Sequence, residues 1–418
     1  MKPPISIPIE DFDYELPDSS IAYTPAPIRS DSKLLVWDKE IFAESTYNNI
    51  AHFIPEKSAL FFNNSKVIAA RIHFQNTHNS NIEIFCLEPS APYQPMSIAM
   101  QSTKKVEWIC LIGGAKKWKD EFLEKKLELN QKIIKVIAKK LKSLDGKFLI
   151  EFSWDHDSIC FSEIIQHIGT IPLPPYIQRA TTEEDKQRYQ TTYAKEEGSV
   201  AAPTAGLHFN EAVFKSLKEK KCTIEFISLH VGAGTFMPVK TEKITDHEMH
   251  AEVFEINTNT LHQLLEIVRS KELDPIHFTP VIAIGTTTLR TLETLYWLGA
   301  KLIMYPSIQK NKDLNLVQWD AYTIETSLTA HEALSALIEW MNSHEITKLT
   351  TSTQLMIVPG YTFKIANGLV TNFHQPKSTL LLIIAAITGQ KWKQVYEHAL
   401  KNHYRFLSYG DGCFFKIN

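Results

Sequence analysis

The 418-residue chain carries a net charge of −3, with 44% apolar and 22% charged residues. This is globular composition with length for two or three domains, and it argues against a disordered chain. The longest notable apolar run, Leu380–Ile387, is far short of the roughly 20 residues of a membrane span, so no membrane is expected. Five scattered cysteines (Cys86, Cys110, Cys160, Cys222, Cys413), without a Cys-x-x-Cys pair, read as reduced thiols. The first ten residues hold prolines and no signal-peptide core, so the expected location is cytoplasmic.

In chain order, Phe61–Phe74 reads as a strand, a turn at Asn63-Asn64-Ser65 and a second strand. From His73 to about Ser153 come short apolar stretches: Asn81–Leu87, Ser97–Gln101, Val106–Ile112 and Phe148–Phe152. They predict a small β-rich domain. Within it, Glu121–Lys142 fits strands or a helix, and strands are preferred because lysines suit a solvent face. Strand and helix then alternate. Cys222–Leu229 is a strand and Leu261–Ser270 a helix; Pro280–Ile284 is a strand running into a helix at Thr288–Trp297. Thr329–Trp340 is a helix, Gly368–Asn372 a strand and Pro376–Thr388 a helix. This pattern predicts an α/β domain with a mostly parallel sheet, interrupted by the β-rich insert.

In such sheets ligands gather at the carboxyl ends of strands, so those turns carry the candidate chemistry. Gly285-Thr286-Thr287-Thr288 joins a strand to a helix, and free N–H groups with three hydroxyls suit an anion; Arg290 would add a guanidinium clamp. His230, Gly232, Gly234 and Thr235 follow the strand Cys222–Leu229, but Met237 and Pro238 break a dinucleotide fingerprint. Asp246-His247-Glu248-Met249-His250 places acids beside two imidazoles that titrate near neutrality. The i+3 histidine spacing argues against helical zinc, and no metal is expected. Pro203, Thr204, Gly206 and His208 belong to a run of small residues before a helix capped by Asn210. Asn372 and His374 end another strand, and Tyr176 sits in a proline-rich connector. Between Gln101 and Ile150 there are 13 Lys against 6 Asp+Glu. Lys104, Lys105, Lys116, Lys117 and Lys119, with Trp108, Trp118 and Phe122 among them, are candidates to hold an RNA backbone and stack a base.

Taken in order, Phe12–Pro17, Ile171–Ile177, Ser199–Phe209, Leu229–Phe236, Asp246–Glu252, Gly285–Glu293, Pro359–Phe363, Val370–Leu381 and Tyr404–Asp411 resemble the motifs of one family. It is the S-adenosylmethionine:tRNA ribosyltransferase-isomerase family of queuosine biosynthesis. The resemblance implies a discontinuous α/β domain (1–72 and 157–418) with an inserted antiparallel β-barrel (73–156). It implies transfer of the ribosyl part of S-adenosylmethionine to 7-aminomethyl-7-deazaguanine at the wobble position in the tRNA anticodon region. Epoxyqueuosine forms, and adenine and methionine leave. S-adenosylmethionine is then a consumed co-substrate, no cofactor is required, and a monomer is the expected state. On this reading His247, His250, Asp246 and Glu248 supply acid and base, with His230 and His374 as further candidates. Ala69, Gln354, Asn367 and Gln375 depart from the family pattern, as does the length of 299–352, read as an insertion. The alternatives are a relative that cleaves S-adenosylmethionine for another acceptor and an RNA-binding protein without catalysis.

Overall fold

The computed structural model describes residues 7–39, 41–129, 131–232, 239 and 241–417. Its larger sheet has nine strands, in the order Lys348–Thr353, Glu252–Asn257, Thr223–His230, Ala59–Asn63, Val281–Ile284, Gly368–Asn372, Gly412–Lys416, Lys33–Asp38, Ile41–Thr46. The four central strands, from Thr223–His230 to Gly368–Asn372, pair in parallel. The outermost strands point the same way, whereas Glu252–Asn257, Gly412–Lys416 and Lys33–Asp38 oppose them. The expected mostly parallel sheet is therefore present.

Ala59–Asn63, Val281–Ile284 and Gly368–Asn372 are buried at every position. Their continuous apolar character follows from cover on both faces. One face carries Leu289, Leu292 and Leu295 of helix Thr286–Met304 and Leu334 and Leu337 of helix Ala330–Ser343. The other face carries Val213 and Leu217 of helix Glu211–Glu219, with Tyr47 and Ile50. Asn210 caps that last helix through its side chain, which accepts from Val213 N (3.0 Å).

Six further strands form the inserted barrel: Arg71–Gln75, Asn81–Pro89, Lys105–Gly113, Lys147–Trp154, Lys132–Leu144 and Phe122–Leu129. It closes where Gln75 pairs with Glu124. The ambiguous Glu121–Lys142 stretch is thus two strands and their turn. Ser97–Gln101 is different: Met96–Gln101 is a helix, because Met96, Ala99 and Met100 bury one face at helical spacing. The barrel is joined to the larger domain by a narrow neck. Gly169–Thr170 pairs with Ile72 and Arg71, so the chain leaves beside the point where it came in. A Cβ at Gly169 would lie 1.9 Å from Ala69 O, which explains a glycine there.

Helix Pro376–Thr388 of the sequence reading begins instead at Thr379, because Ser378 accepts from Leu381 N (3.2 Å) and caps it. The 299–352 stretch is built into the α/β core: it supplies the end of Thr286–Met304, helix Ala330–Ser343 and an edge strand. Among the described residues no helix is long and apolar enough to cross a membrane.

Where Thr286–Met304 meets Ala330–Ser343, a Cβ at Gly299 would stand 1.8 Å from Ala333 O. Alanine in a helix normally stabilises relative to glycine by about 1 kcal/mol. Here Gly299→Ala is expected to destabilise by about 1–3 kcal/mol through overpacking. Thermal and urea unfolding would check it, and an unchanged or raised midpoint would contradict this backbone contact.

Candidate active site

Two parallel neighbours, Val281–Ile284 and Gly368–Asn372, end side by side, and their loops diverge to open a cleft of about 930 Å³, open solvent included. Its walls are the turn Gly285–Thr288, the loop Thr371–Gln375, the small-residue loop Ala201–Ala205, Ser378–Leu380 and Leu407–Ser408, with Tyr176 and Val231. None of these described lining residues is Asp, Glu, Lys or Arg.

Gly285 has φ +96°, a conformation that favours glycine, and it turns the strand into helix Thr286–Met304. The first N–H to bond back is that of Leu289, to Gly285 O (3.1 Å). The N–H groups of Thr286, Thr287 and Thr288 therefore lack intrahelical acceptors and sit at the positive end of the helix dipole. Thr288 is fully buried, and its hydroxyl has no hydrogen-bond partner among the described residues. A buried polar group without a partner is costly, and a ligand oxygen would satisfy it.

Across the cleft, the His374 imidazole lies 3.1 Å from Thr371 Oγ1. Its backbone N–H donates to the Tyr396 hydroxyl (3.1 Å), and its carbonyl accepts from the Tyr14 hydroxyl. Burial pushes its pKa down to about 3, so the ring is neutral at physiological pH. The Tyr176 hydroxyl donates to Ser408 Oγ and accepts from Ser408 N–H (2.9 Å), which fixes both residues in the wall. Asn372 reaches back to His208 Nε2 (3.4 Å). His208 stacks on Tyr47 and lies beneath the cleft without lining it; burial pushes it too down to about 3.

Thr286, Thr287, Thr288, Pro203, Thr204, Asn372, His374 and Tyr176 thus converge on one cleft. Other expected site residues do not. Arg290 is buried and its charge is matched by Glu252 (2.5 Å), with Nε donating to Leu355 O (2.9 Å). A buried guanidinium needs a carboxylate, and this one has it; Arg290 lies outside the cleft lining with its charge committed to Glu252, although its buried Nη2 has no partner among the described residues. Gly206 serves packing, since a Cβ there would meet the Tyr193 hydroxyl at 1.9 Å. His230 ends its strand outside the lining; burial lowers its pKa, and its Nδ1 has no partner among the described residues. No described residue lies within 4 Å of a Cβ built on Gly232, whereas Gly234, Thr235, Met237 and Pro238 lie outside the described residues.

Asp246, His247, Glu248 and His250 are not in the cleft wall. Their segment is tied down by two amides. Gln318 donates to His247 O (2.7 Å) and accepts from Met249 N (2.9 Å), and Gln354 donates to Met249 O (2.8 Å). His247 is held below its ordinary pKa by burial first and by His250 second, with Glu248 opposing. His250 is exposed. Upstream of the segment, the Val239 N–H bonds Lys377 O (3.3 Å) beside the wall residue Ser378.

The basic patch is also redrawn. Trp108 and Trp118 are barrel core, buried and unable to stack on a base; only Phe122 is exposed. Lys104 and Lys105 pair with Asp157 (2.8 Å) and Glu151 (3.3 Å) at one end of strand Lys105–Gly113. Lys116, Lys117 and Lys119 follow its other end. At strand rise the two groups are on the order of 25 Å apart, so they are two surfaces and not one.

Thr371, Ser378 and Ser408 lie within the motifs Val370–Leu381 and Tyr404–Asp411 but are not among the candidate site residues of the sequence. Ser378 had a signal, as a cap before an apolar run. Ser408 had none, because only the tertiary fold brings it to Tyr176.

Two neutral buried histidines make a pH prediction. His208 and His374 titrate near 3 when folded, against about 6.5 unfolded. Their contribution to stability is complete above pH 6.5 and is lost as pH falls towards 3, at up to about 1.4 kcal/mol per pH unit each. Thermal midpoints measured from pH 7.5 to 5 should fall, and less steeply in His374→Gln. An identical slope in the variant would show that His374 is not held neutral.

Comparison with known proteins agrees along the whole length. The family model described as queuosine biosynthesis protein matches residues 9–415. The S-adenosylmethionine:tRNA ribosyltransferase-isomerases of Halothermothrix orenii and Legionella pneumophila are each 34% identical over 407 residues, covering 96% of this chain and 98% of theirs. That of Treponema denticola is 32% identical over 410 residues, with the same coverage. The solved S-adenosylmethionine tRNA ribosyltransferase of Thermotoga maritima aligns at 24% identity and a TM-score of 0.44, over 97% of this chain and 99% of its own. With the family matched across nearly every residue and relatives above 30% identity end to end, the chain belongs to the S-adenosylmethionine:tRNA ribosyltransferase-isomerase family of queuosine biosynthesis.

Proposed function

We propose that this protein transfers the ribosyl moiety of S-adenosylmethionine to the aminomethyl group of 7-aminomethyl-7-deazaguanine at the wobble position of tRNA. The transferred ring isomerises to the epoxycyclopentane of epoxyqueuosine, and adenine and methionine are released. The observation that carries this reading is the uncharged cleft with a helix N-terminus and the unpartnered Thr288 hydroxyl at one end. The methionine carboxylate would accept hydrogen bonds from the N–H groups of Thr286–Thr288 and from Thr288 Oγ1. This anchor needs no cationic side chain, which suits the pairing of Arg290 with Glu252.

The lining also bears on the sulfonium. No described carboxylate in the wall matches its charge, and cleavage of a carbon–sulfur bond discharges it to a neutral thioether. The small residues Ala201, Ala202 and Ala205 leave room for a flat ring, and Asn372 offers both a donor and an acceptor to a base edge. Proton transfer falls to His247 and His250, flanked by Asp246 and Glu248. The lowered pKa of His247, set first by burial, favours the neutral ring that can accept a proton.

Adenine release is the test of the whole reading. With S-adenosylmethionine and tRNA carrying the deazaguanine precursor, release should depend on that tRNA. Release with unrelated acceptors alone would indicate a different reaction, and RNA retention without release a binding protein. Thr288→Val should raise the Kd for S-adenosylmethionine about 5- to 10-fold, the worth of one hydrogen bond, while leaving tRNA affinity in place. Unchanged affinity for S-adenosylmethionine would remove the carboxylate anchor. His247→Ala or His250→Ala should lower kcat by about 100-fold or more with both substrates still bound. Full turnover in either variant would take that histidine out of the chemistry.

A further inference from the structure

A second, smaller depression adjoins the cleft and shares Ser408 with it. Its wall contains two arginines, Arg29 and Arg188, that the sequence reading did not single out. Each guanidinium has five N–H donors. Among the described residues those of Arg29 reach only main-chain oxygens: Leu207 O (3.0 Å), Gln187 O (2.7 Å) and Arg188 O (3.4 Å). Those of Arg188 reach Pro27 O (3.1 Å) and Ala26 O, and its buried Nε has no partner among the described residues. Carbonyl oxygens orient a guanidinium without neutralising it.

The carboxylates nearby are already engaged. Asp185 forms a two-pronged pair with Arg179 (2.6 and 2.7 Å) and accepts from the Tyr409 hydroxyl (2.9 Å). Asp411 accepts from Arg405 N (2.7 Å) and Lys33 N (2.8 Å), with the Arg405 guanidinium 3.6 Å away. Glu184 approaches Arg188 only to 3.7 Å, and its side chain is 70% exposed. His208, in the same wall, is neutral. Two positive charges therefore stand together with little to balance them, and Arg29 is held below its ordinary pKa by burial and by Arg188.

We propose that Arg29 and Arg188 bind a phosphodiester of the RNA immediately flanking the nucleotide whose base enters the cleft. A planar guanidinium pair matches phosphate oxygens in charge and geometry. Sharing Ser408 puts the two subsites next to each other, as a base and its flanking phosphate are. The backbone contact nearest the chemistry is then made by the α/β domain and not by the barrel lysines. The proposal rests on the reading that a tRNA base occupies the cleft.

The test uses the full-length protein and an anticodon stem-loop RNA carrying the deazaguanine precursor. Single neutral methylphosphonate linkages are placed on the 5′ and then the 3′ side of the wobble nucleotide. One of them should weaken wild-type binding about 10-fold, Arg188→Gln should weaken the unmodified RNA to a similar degree, and the two together should do no more than either alone. In Arg188→Gln the slope of log K against log salt should shrink by about 1, whereas Arg188→Lys should keep it. Additive losses, or a neutral linkage without effect at either position, would overturn the proposal, and the wild-type arm decides this even if a variant folds poorly. If inorganic phosphate raises the Tm of the wild type but not of Arg188→Gln while neither linkage matters, the depression binds a free anion and the proposal falls. Adenine release by the wild type, measured alongside, judges the cleft reading separately: its absence sinks that reading, whereas its presence with indifferent linkages sinks only the phosphate subsite.

Discussion

The cleft depends on the parallel pairing of Ala59–Asn63, Val281–Ile284 and Gly368–Asn372. Parallel neighbours deliver their carboxyl ends to the same edge of the sheet, and successive loops there cannot avoid one another. Because these strands are buried on both faces, their register is set by core packing, and the loops inherit that rigidity. The turn Gly285–Thr288 and the loop Thr371–Gln375 are held on either side of a gap by residues that never touch a ligand.

Charge is distributed by the same logic. Ionisable groups at the heart of the domain are enclosed by partners. Glu293, fully buried, accepts from the backbone N–H groups of Lys364 (2.7 Å), Ile365 (3.0 Å) and Ala366 (3.0 Å) and from the Tyr361 hydroxyl (2.9 Å). Burial raises its pKa while these four donors oppose the rise. Arg290 has Glu252. The described residues that face the cleft are uncharged, a mixture of hydroxyls, amides and apolar groups, so fixed dipoles at a helix end carry the electrostatics. The unbalanced positive charge lies next door, in the walls around Arg29 and Arg188, where a polyanion can approach from solvent.

Local sequence carried the architecture well and the site in part. Strand-turn-helix junctions at Gly285 and Asn372 were legible because apolar runs, a glycine and a change of period sit next to each other in the chain. Their convergence follows from a general rule about parallel sheets. Legibility failed where meaning depends on distant partners. Arg290 reads as a clamp in isolation, but the fold sets Glu252 beside it, and Trp108 and Trp118 read as stacking platforms although they point into the barrel core. The lysine excess between Gln101 and Ile150 is real in composition, but a strand separates it into two ends. Arg29 and Arg188 gave no signal, being ordinary residues far apart in sequence whose neighbours are main-chain oxygens.

The narrow neck at Gly169–Thr170 and Arg71–Ile72 has a consequence for the order in which the molecule assembles. Ala59–Asn63 must find Thr223–His230 across the whole inserted barrel, a long loop to close by chance. Once the barrel has folded, its two ends are already pinned together, and the search shrinks to residues 64–70 on one side and 171–222 on the other. The barrel thereby acts as an internal staple made of hydrogen bonds. Lengthening its surface loops should leave the assembly rate of the larger sheet nearly untouched, whereas prying the neck apart restores the full length of chain to the search.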